Sequence, residues 1–335
     1  MNASQTTSVA LLKDEAGRPA AALSRCLTLE LVRVTERAAI AAAAWRGKGD
    51  EMAADAAAVE AMRAELARID IDGRIVIGEG ERDEAPMLYI GENVGTGQGA
   101  SVDIAVDPLE GTTLCAKNQP DAICVLAMAE RGGLLNAPDV YMTKVAIGPG
   151  YPAGLVDLDR APMDNVRALA GAKGVPITEI TACVLDRPRH AGLIEDLRVA
   201  GVPVKLISDG DIAGIIHATN TEDTGIDIYL GSGGAPEGVL AAAALRCIGG
   251  QMQGRLILDT AEKRERAQRL GITDPNRKYD VTELAAGDVV FAATGVTDGT
   301  LLDGVKLRRS HLVTSTIVMR SWSRTARWIT ARHLR

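Results

Sequence analysis

The run DIAVDPLEGTT, residues 103–113, brings Asp107, Glu110, Gly111 and Thr112 together at the end of an apolar stretch. Strand alternation puts Asp103 and Asp107 on one face and Ile104 and Val106 on the other. Pro108 cannot continue a central strand, so the pattern predicts a strand over 102–106 that ends at Asp107, where active sites of α/β sheets collect. Two carboxylates, a close backbone approach and a hydroxyl suit a hard divalent cation with room left for phosphate oxygens. The same residues also read as ordinary structure, because Asp before Pro starts turns and Thr112 could cap a helix.

A second acidic run, GEGERDEAP over 78–86, follows the apolar residues Ile75, Val76 and Ile77. Glu79 and Glu81 share a face if the strand continues, and Asp83 and Glu84 lie just beyond. Converging carboxylates repel unless divalent ions sit between them; a solvated acidic loop is the alternative. Asp55 lies among alanines on a helix, either simply exposed or, through its small neighbours, able to reach a metal site. GSGGAPEG places Glu237 at a helix opening, where free N–H groups attract anions and the carboxylate is a candidate cation ligand; a capped helix start reads equally well. RPRH and SDGD each follow an apolar stretch. Arg187 and Arg189 could clamp a phosphate, and Asp209 and Asp211 could accept from sugar hydroxyls, although DGD is also a stock turn. His190, His217, His311 and His333 are scattered and form no ligand pair or triad. The chain carries no nucleophile elbow, Walker loop or dinucleotide fingerprint.

These residues need elements to hold them. Helical spacing over 27–45 predicts a first helix, and Asp50 is placed to cap a second through about residue 68, with Met52, Val59, Met62 and Leu66 as its apolar stripe. Asp72-Gly73 marks a turn, RIVIGEGE a strand entering a glycine-rich loop, and 122–129 another apolar stretch. From residue 182 strands and helices alternate: ACVL, a helix after His190, VKLI, a helix after Asp211, IDIYL, then the helix VLAAAALRCI. That order predicts an α/β fold of parallel or mixed sheets covered by helices. A solvated helix over 262–269, the late strand DVVFAAT and a basic end complete the chain.

The chain has 335 residues, enough for about two units. The expected division is a flexible polar tail over 1–24 without a secretory signal's apolar core, a metal-binding part over 25–175 and a substrate-binding part over 176–335. Hydrophobic residues make up 47% and charged ones 24%, the proportions of a globular protein. Acids exceed bases by 44 to 37, and one Phe, three Trp and five Tyr leave few stacking platforms, which argues against nucleic acid as a partner. No apolar run reaches the roughly 18 to 20 residues a membrane span needs. Five widely spaced cysteines without a C-x-x-C pair argue against a disulfide framework and a thiolate zinc site, and point to the cytoplasm.

The motif D-P-[IL]-[DE]-G-[TS] after an acidic strand end resembles the metal-dependent, lithium-sensitive sugar and inositol phosphatases. The strings VIGEGERDEAPMLYIGENVGTG, VDIAVDPLEGTT, LNAPDVYM, DRPRH, DGDIA and GGAPEGV together resemble class II fructose-1,6-bisphosphatase, some members of which also hydrolyse sedoheptulose 1,7-bisphosphate. The resemblance implies an α-β-α-β-α sandwich, a homodimer or homotetramer, and two or more Mn²⁺ or Mg²⁺ ions. It implies Asp55 and Glu79 as ligands of one ion and Asp107, Glu110 and Glu237 as ligands of a second. Substrate contacts would fall on Glu110, Gly111, Thr112, Tyr141, Arg187, Pro188, Arg189, Asp209, Gly210, Asp211 and Gly234. Glu51 departs from the family, where a lysine is usual, as do Ala56 and Thr113, and the stretch over 255–289 is shorter than in some relatives.

The expected reaction is hydrolysis of the 1-phosphate of fructose 1,6-bisphosphate, with the ions holding the phosphate and acidifying a water. Thr112, hydrogen-bonded to Asp55, would orient that water. Sedoheptulose 1,7-bisphosphate or an inositol phosphate is the alternative substrate. A metal- and sugar-phosphate-binding regulator impaired by Glu51 is the alternative of another class.

Overall fold

Apolar side chains alternate along the strands of this protein, and the two faces they create decide its layers. The computed structural model describes residues 23–80 and 86–334. Two helices come first, α1 (Leu27–Ala43) and α2 (Glu51–Leu66). Then follow β1 (Ile71–Ile77), β2 (Asn93–Val94), β3 (Ala100–Glu110), α3 (Thr112–Ala116), β4 (Ile123–Glu130) and β5 (Tyr141–Ile147). The middle of the chain alternates through α4 (Pro162–Lys173), β6 (Ala182–Leu185), α5 (Ala191–Val199), β7 (Val204–Ile207), α6 (Asp211–His217), α7 (Thr221–Thr224) and β8 (Ile228–Gly234). It continues with α8 (Ala235–Ile248), β9 (Gln251–Leu256), α9 (Ala261–Arg269), β10 (Tyr279–Asp280) and α10 (Val281–Leu284). The chain closes with β11 (Val289–Gly295), β12 (Lys306–Leu307), β13 (His311–Arg320) and β14 (Thr325–Leu334).

An eight-stranded sheet runs in the order β12-β13-β11-β4-β3-β1-β2, with β14 also paired to β13. A six-stranded sheet runs β10-β9-β5-β8-β6-β7. Both are mixed: β1–β3, β6–β7 and β6–β8 are parallel, and the other pairs are antiparallel. On one face of the larger sheet, Ile75, Ile104, Val106 and Met128 pack with α1 and α2. On its other face, Val76, Ala105, Val125 and Phe291 meet α8, which also packs on Met142, Ala146 and Tyr229 of the second sheet. The far face of that sheet, including Val145, Val184 and Leu230, is covered by α4 and α5. The layers therefore run α-β-α-β-α. α8 is apolar on nearly every side because it lies between two sheets, and its alanines let both approach closely.

Several local expectations change. Met52 is 84% exposed, and Ala54 and Ala58 join Val59, Met62 and Leu66 on the buried face of α2. β3 continues through Pro108 to Glu110, because the ladder to β4 breaks register between Asp107 and Glu110 and needs no donor from the proline there. Gly231 to Gly234 extend the IDIYL strand as the end of β8 and pair with β5. Residue 175 does not divide the sheets: strands of the larger sheet come from 71–130 and 289–334, and those of the smaller from 141–280. Most of the expected tail, residues 1–22, lies outside the described residues, but Leu23 is buried and Arg320 Nη1 donates to the Ser24 carbonyl at 3.2 Å.

Candidate active site

Each candidate carboxylate stands near the end of an element, and those ends converge. Asp55 projects from the first part of α2, whose start is set by Asp50, the side chain of which accepts from Ala53 N at 2.9 Å. Glu79 leaves the chain two residues beyond β1. Asp107 and Glu110 come from the irregular end of β3. Gly111 then takes the left-handed conformation, φ 84°, which lets α3 begin at Thr112. Glu237 sits in the first turn of α8. Asp55, Glu79, Asp107, Thr112 and Glu237 line one cavity of about 380 Å³, together with Asp139. Among the described residues no hydrogen bond joins Thr112 to Asp55. Glu81, Asp83 and Glu84 lie outside the described residues.

Carboxylate oxygens of Asp107, Glu110 and Glu237 lie within 4.8 Å of one another. Asp55 and Glu79 meet through their carboxyl groups. Such crowding makes negative charge expensive. Burial pushes Glu79 up to about 8, with the charges of Asp55 and Asp107 adding to it. Burial likewise raises Asp107 to about 6, and Glu237 to about 7 with Asp211 adding and Lys144 opposing. Glu110 is held well above the usual carboxylate range by burial and then by Asp107 and Asp211. Burial also raises Asp55. Glu237 Oε2 is buried with no hydrogen-bond partner. An array of hard oxygen donors that disfavour one another, one of them unsatisfied, fits divalent cations.

The remaining candidates stand on or beside the second sheet, and none of them lines that cavity; Asp209 and Gly210 line a separate one. Tyr141 opens β5 opposite Gly234, and the guanidinium of Arg189 stacks on its ring at 4.6 Å. Pro188 begins the 3₁₀ turn that carries Arg189. Arg187 Nη1 donates to the Ser208 carbonyl at 2.5 Å and Nη2 lies 3.7 Å from Asp209. Gly210, φ 80°, precedes α6 and leaves Asp211 as its first residue. Ile212 N, one residue on, donates to Glu110 Oε1 at 3.1 Å, which links the 208–211 loop to the carboxylate cluster. Glu51 is exposed at the start of α2, and its charge helps raise Asp209 after burial and Asp211.

Sequence reasoning missed Lys144. Its ammonium is fully buried, 2.5 Å from Asp211 Oδ2. The signal was present, since Lys144 falls between Met142 and Ala146 on the inward face of an otherwise apolar strand. Ser232, which holds Arg189, carried no such signal among the glycines around it.

A sequence profile for "Bacterial fructose-1,6-bisphosphatase, glpX-encoded" matches residues 25–333. The chain is 46% identical to a protein of Prochlorococcus marinus named D-fructose 1,6-bisphosphatase class 2/sedoheptulose 1,7-bisphosphatase, covering 93% of this chain and 97% of that protein. A protein of Synechococcus elongatus with the same name is 46% identical over the same shares of each chain. A solved inositol monophosphatase from Anabaena (Nostoc) matches at 12% identity with a TM-score of 0.30, over 58% of this chain and 72% of that one. The acidic cavity at the sheet ends and the match along nearly the whole described chain agree, and the chain belongs to the bacterial fructose-1,6-bisphosphatase family.

Proposed function

We propose that this protein hydrolyses the 1-phosphate of fructose 1,6-bisphosphate to fructose 6-phosphate and inorganic phosphate. The observation that carries the reading is the convergence of five buried or half-buried carboxylates on one cavity region in a chain of this family. Asp55 and Glu79 would hold one Mg²⁺ or Mn²⁺, and Asp107, Glu110 and Glu237 a second. When bound, such ions neutralise the phosphate and lower the pKa of a water.

The chain's own groups do the rest. Thr112, with its hydroxyl at the start of α3, orients the attacking water against the phosphorus. Gly111 brings the backbone close to the scissile phosphate. Arg187, Pro188, Arg189 and Tyr141 grip the far end of the sugar, and Asp209, Gly210, Asp211 and Gly234 receive its hydroxyls. Binding energy collected there positions the scissile bond. Lys144 keeps Asp211 in place from behind.

Sedoheptulose 1,7-bisphosphate is a second substrate reading, supported by the double name of the relatives and tested by relative kcat/KM. Glu51 brings a negative charge towards Asp209 and is the one feature that favours an impaired regulator, while the carboxylate set favours catalysis. The five cysteines are free thiols, which supports the cytoplasm as the compartment, and the family resemblance supports a homodimer or homotetramer. Among the described residues no helix is long and apolar enough to cross a membrane.

Phosphate release from fructose 1,6-bisphosphate, with Mg²⁺, with Mn²⁺ and after EDTA, tests the reading beside Asp107→Ala. Cation-dependent release abolished by the substitution is expected. Folded protein that releases no phosphate with either ion would overturn it.

A further inference from the structure

Behind the exposed guanidinium of Arg189 stands a buried histidine that the reaction above does not use. His190 is 4% exposed and ends the Pro188–His190 turn. Its Nδ1 lies 2.8 Å from the carbonyl oxygen of Leu185, which can only accept, so Nδ1 carries a proton. Its Nε2 lies 2.9 Å from the backbone N–H of Ser232, which can only donate, so Nε2 is bare. Both contacts are satisfied by a single neutral tautomer.

Ser232 is thereby gripped from one side by the ring, and Arg189 takes it from the other. Arg189 Nε donates to Ser232 Oγ at 3.0 Å and to its carbonyl at 3.2 Å, and Nη2 donates to that carbonyl at 2.7 Å. Ser232 Oγ is also 3.1 Å from His190 Nε2. The guanidinium is therefore fixed along one edge by Ser232 and across one face by Tyr141. Among the described residues Nη1 has no partner, so its two N–H groups remain for a ligand. A guanidinium held this way presents forked donors, which is the geometry that matches a phosphate.

We propose that His190 is a positioning residue for the phosphate that is not hydrolysed: its Nδ1–H tautomer locks Ser232, and Ser232 aims the free donors of Arg189 at the far end of the substrate. The inference rests on the sugar-bisphosphate reading and adds how the protein prefers two phosphates to one. Burial pushes the imidazole pKa down against the pull of the Leu185 carbonyl, and Arg189 and Arg187 push it the same way, which keeps the ring neutral.

Two substitutions separate this role from simple packing. In His190→Asn the side chain stops at the Nδ1 position and cannot reach Ser232; in His190→Gln an amide oxygen reaches far enough to accept from Ser232 N. For His190→Asn the expected result is a KM for fructose 1,6-bisphosphate raised about tenfold, a loss of about 1.4 kcal/mol, with kcat and the KM for fructose 1-phosphate little changed. His190→Gln should recover most of that loss. Equal losses on both sugar phosphates, or an unmoved KM, would overturn the proposal. Should the variants not fold, imidazole ¹⁵N shifts of the wild-type protein decide, and they are readily assigned because the chain has four histidines. A neutral Nδ1–H ring at about pH 7 is expected at His190; an Nε2–H ring or an imidazolium would overturn the proposal. If the wild-type protein turns over no fructose 1,6-bisphosphate, the substrate reading fails instead, and the ¹⁵N result still reports the tautomer.

Discussion

Carboxylates that share a buried site keep their protons to higher pH, and this gives the cavity a measurable signature. Glu79, Glu237 and Asp107 are raised to about 8, 7 and 6 by burial first and by neighbouring carboxylates after it. Between the ordinary carboxylate range and those values the folded protein binds more protons than the unfolded chain, so stability falls as pH rises through that window. In EDTA, the thermal midpoint is expected to drop steadily from about pH 5 to about pH 8, and Mg²⁺ or Mn²⁺ should recover most at the upper end, where the deprotonated ligands are available. A midpoint that rises over the same range in EDTA would contradict the carboxylate crowding. The Lys144–Asp211 pair obeys a different rule, because both charges are already buried and matched. Lys144→Met leaves the Asp211 charge alone and should cost about 3–5 kcal/mol in urea unfolding. Lys144→Met with Asp211→Asn should restore a good part of that, since it removes the uncompensated charge.

Elements aim these side chains, and close approach decides how well. α8 starts immediately after β8, so Glu237 folds back over Gly234, where a Cβ would stand 1.8 Å from Glu237 Oε2. Gly234 itself has an extended conformation that alanine tolerates, φ −61° and ψ 145°. Gly234→Ala is therefore expected to change stability by no more than about 1 kcal/mol while displacing Glu237 from its neighbours. Calorimetric titration with Mn²⁺ should find the affinity reduced by about 10- to 100-fold; an unchanged affinity would mean that Glu237 is not a ligand. At this scale the sequence was readable where periodicity was strong, as in α1, β4 and β6. It misled where a contact set the outcome. Met52 fitted an apolar stripe yet faces solvent, because the alanines beside it allow close helix packing. Pro108 reads as a strand end in the sequence, yet β3 passes through it because a register break leaves no ladder bond to lose.

The whole molecule is tied together by strands that return late. β11 lies between β4 and β13 in the larger sheet, and α8 covers that sheet's inner face. A fragment ending near residue 175 would lack both and would leave β4 with an open edge and Val125 and Phe291's partners uncovered or missing. Circular dichroism of that fragment is expected to show no cooperative thermal transition, whereas the full chain should unfold in one step that coincides by fluorescence and circular dichroism. A fragment that melts cooperatively would mean that the first part of the chain folds as its own unit. The buried Arg320–Asp288 pair, 2.7 Å apart, adds to the closure because Asp288 Oδ2 also accepts from Leu23 N at 3.2 Å.

From the sequence alone came the α/β alternation, the acidic strand and helix ends, and a string of motifs dense enough to identify the family. These are local properties: alternation of faces, turn chemistry, and carboxylates next to glycines within a few residues. Which carboxylates share a cavity, and that Lys144 stands behind Asp211 and His190 behind Ser232 and Arg189, was decided only by the tertiary structure. Asp55 and Glu237 are separated by most of the chain, and no periodicity reports that two sheets and a helix will bring their ends together. Burial then does what no single position in the sequence specifies: it raises the cost of each charge and makes the partner of each one matter.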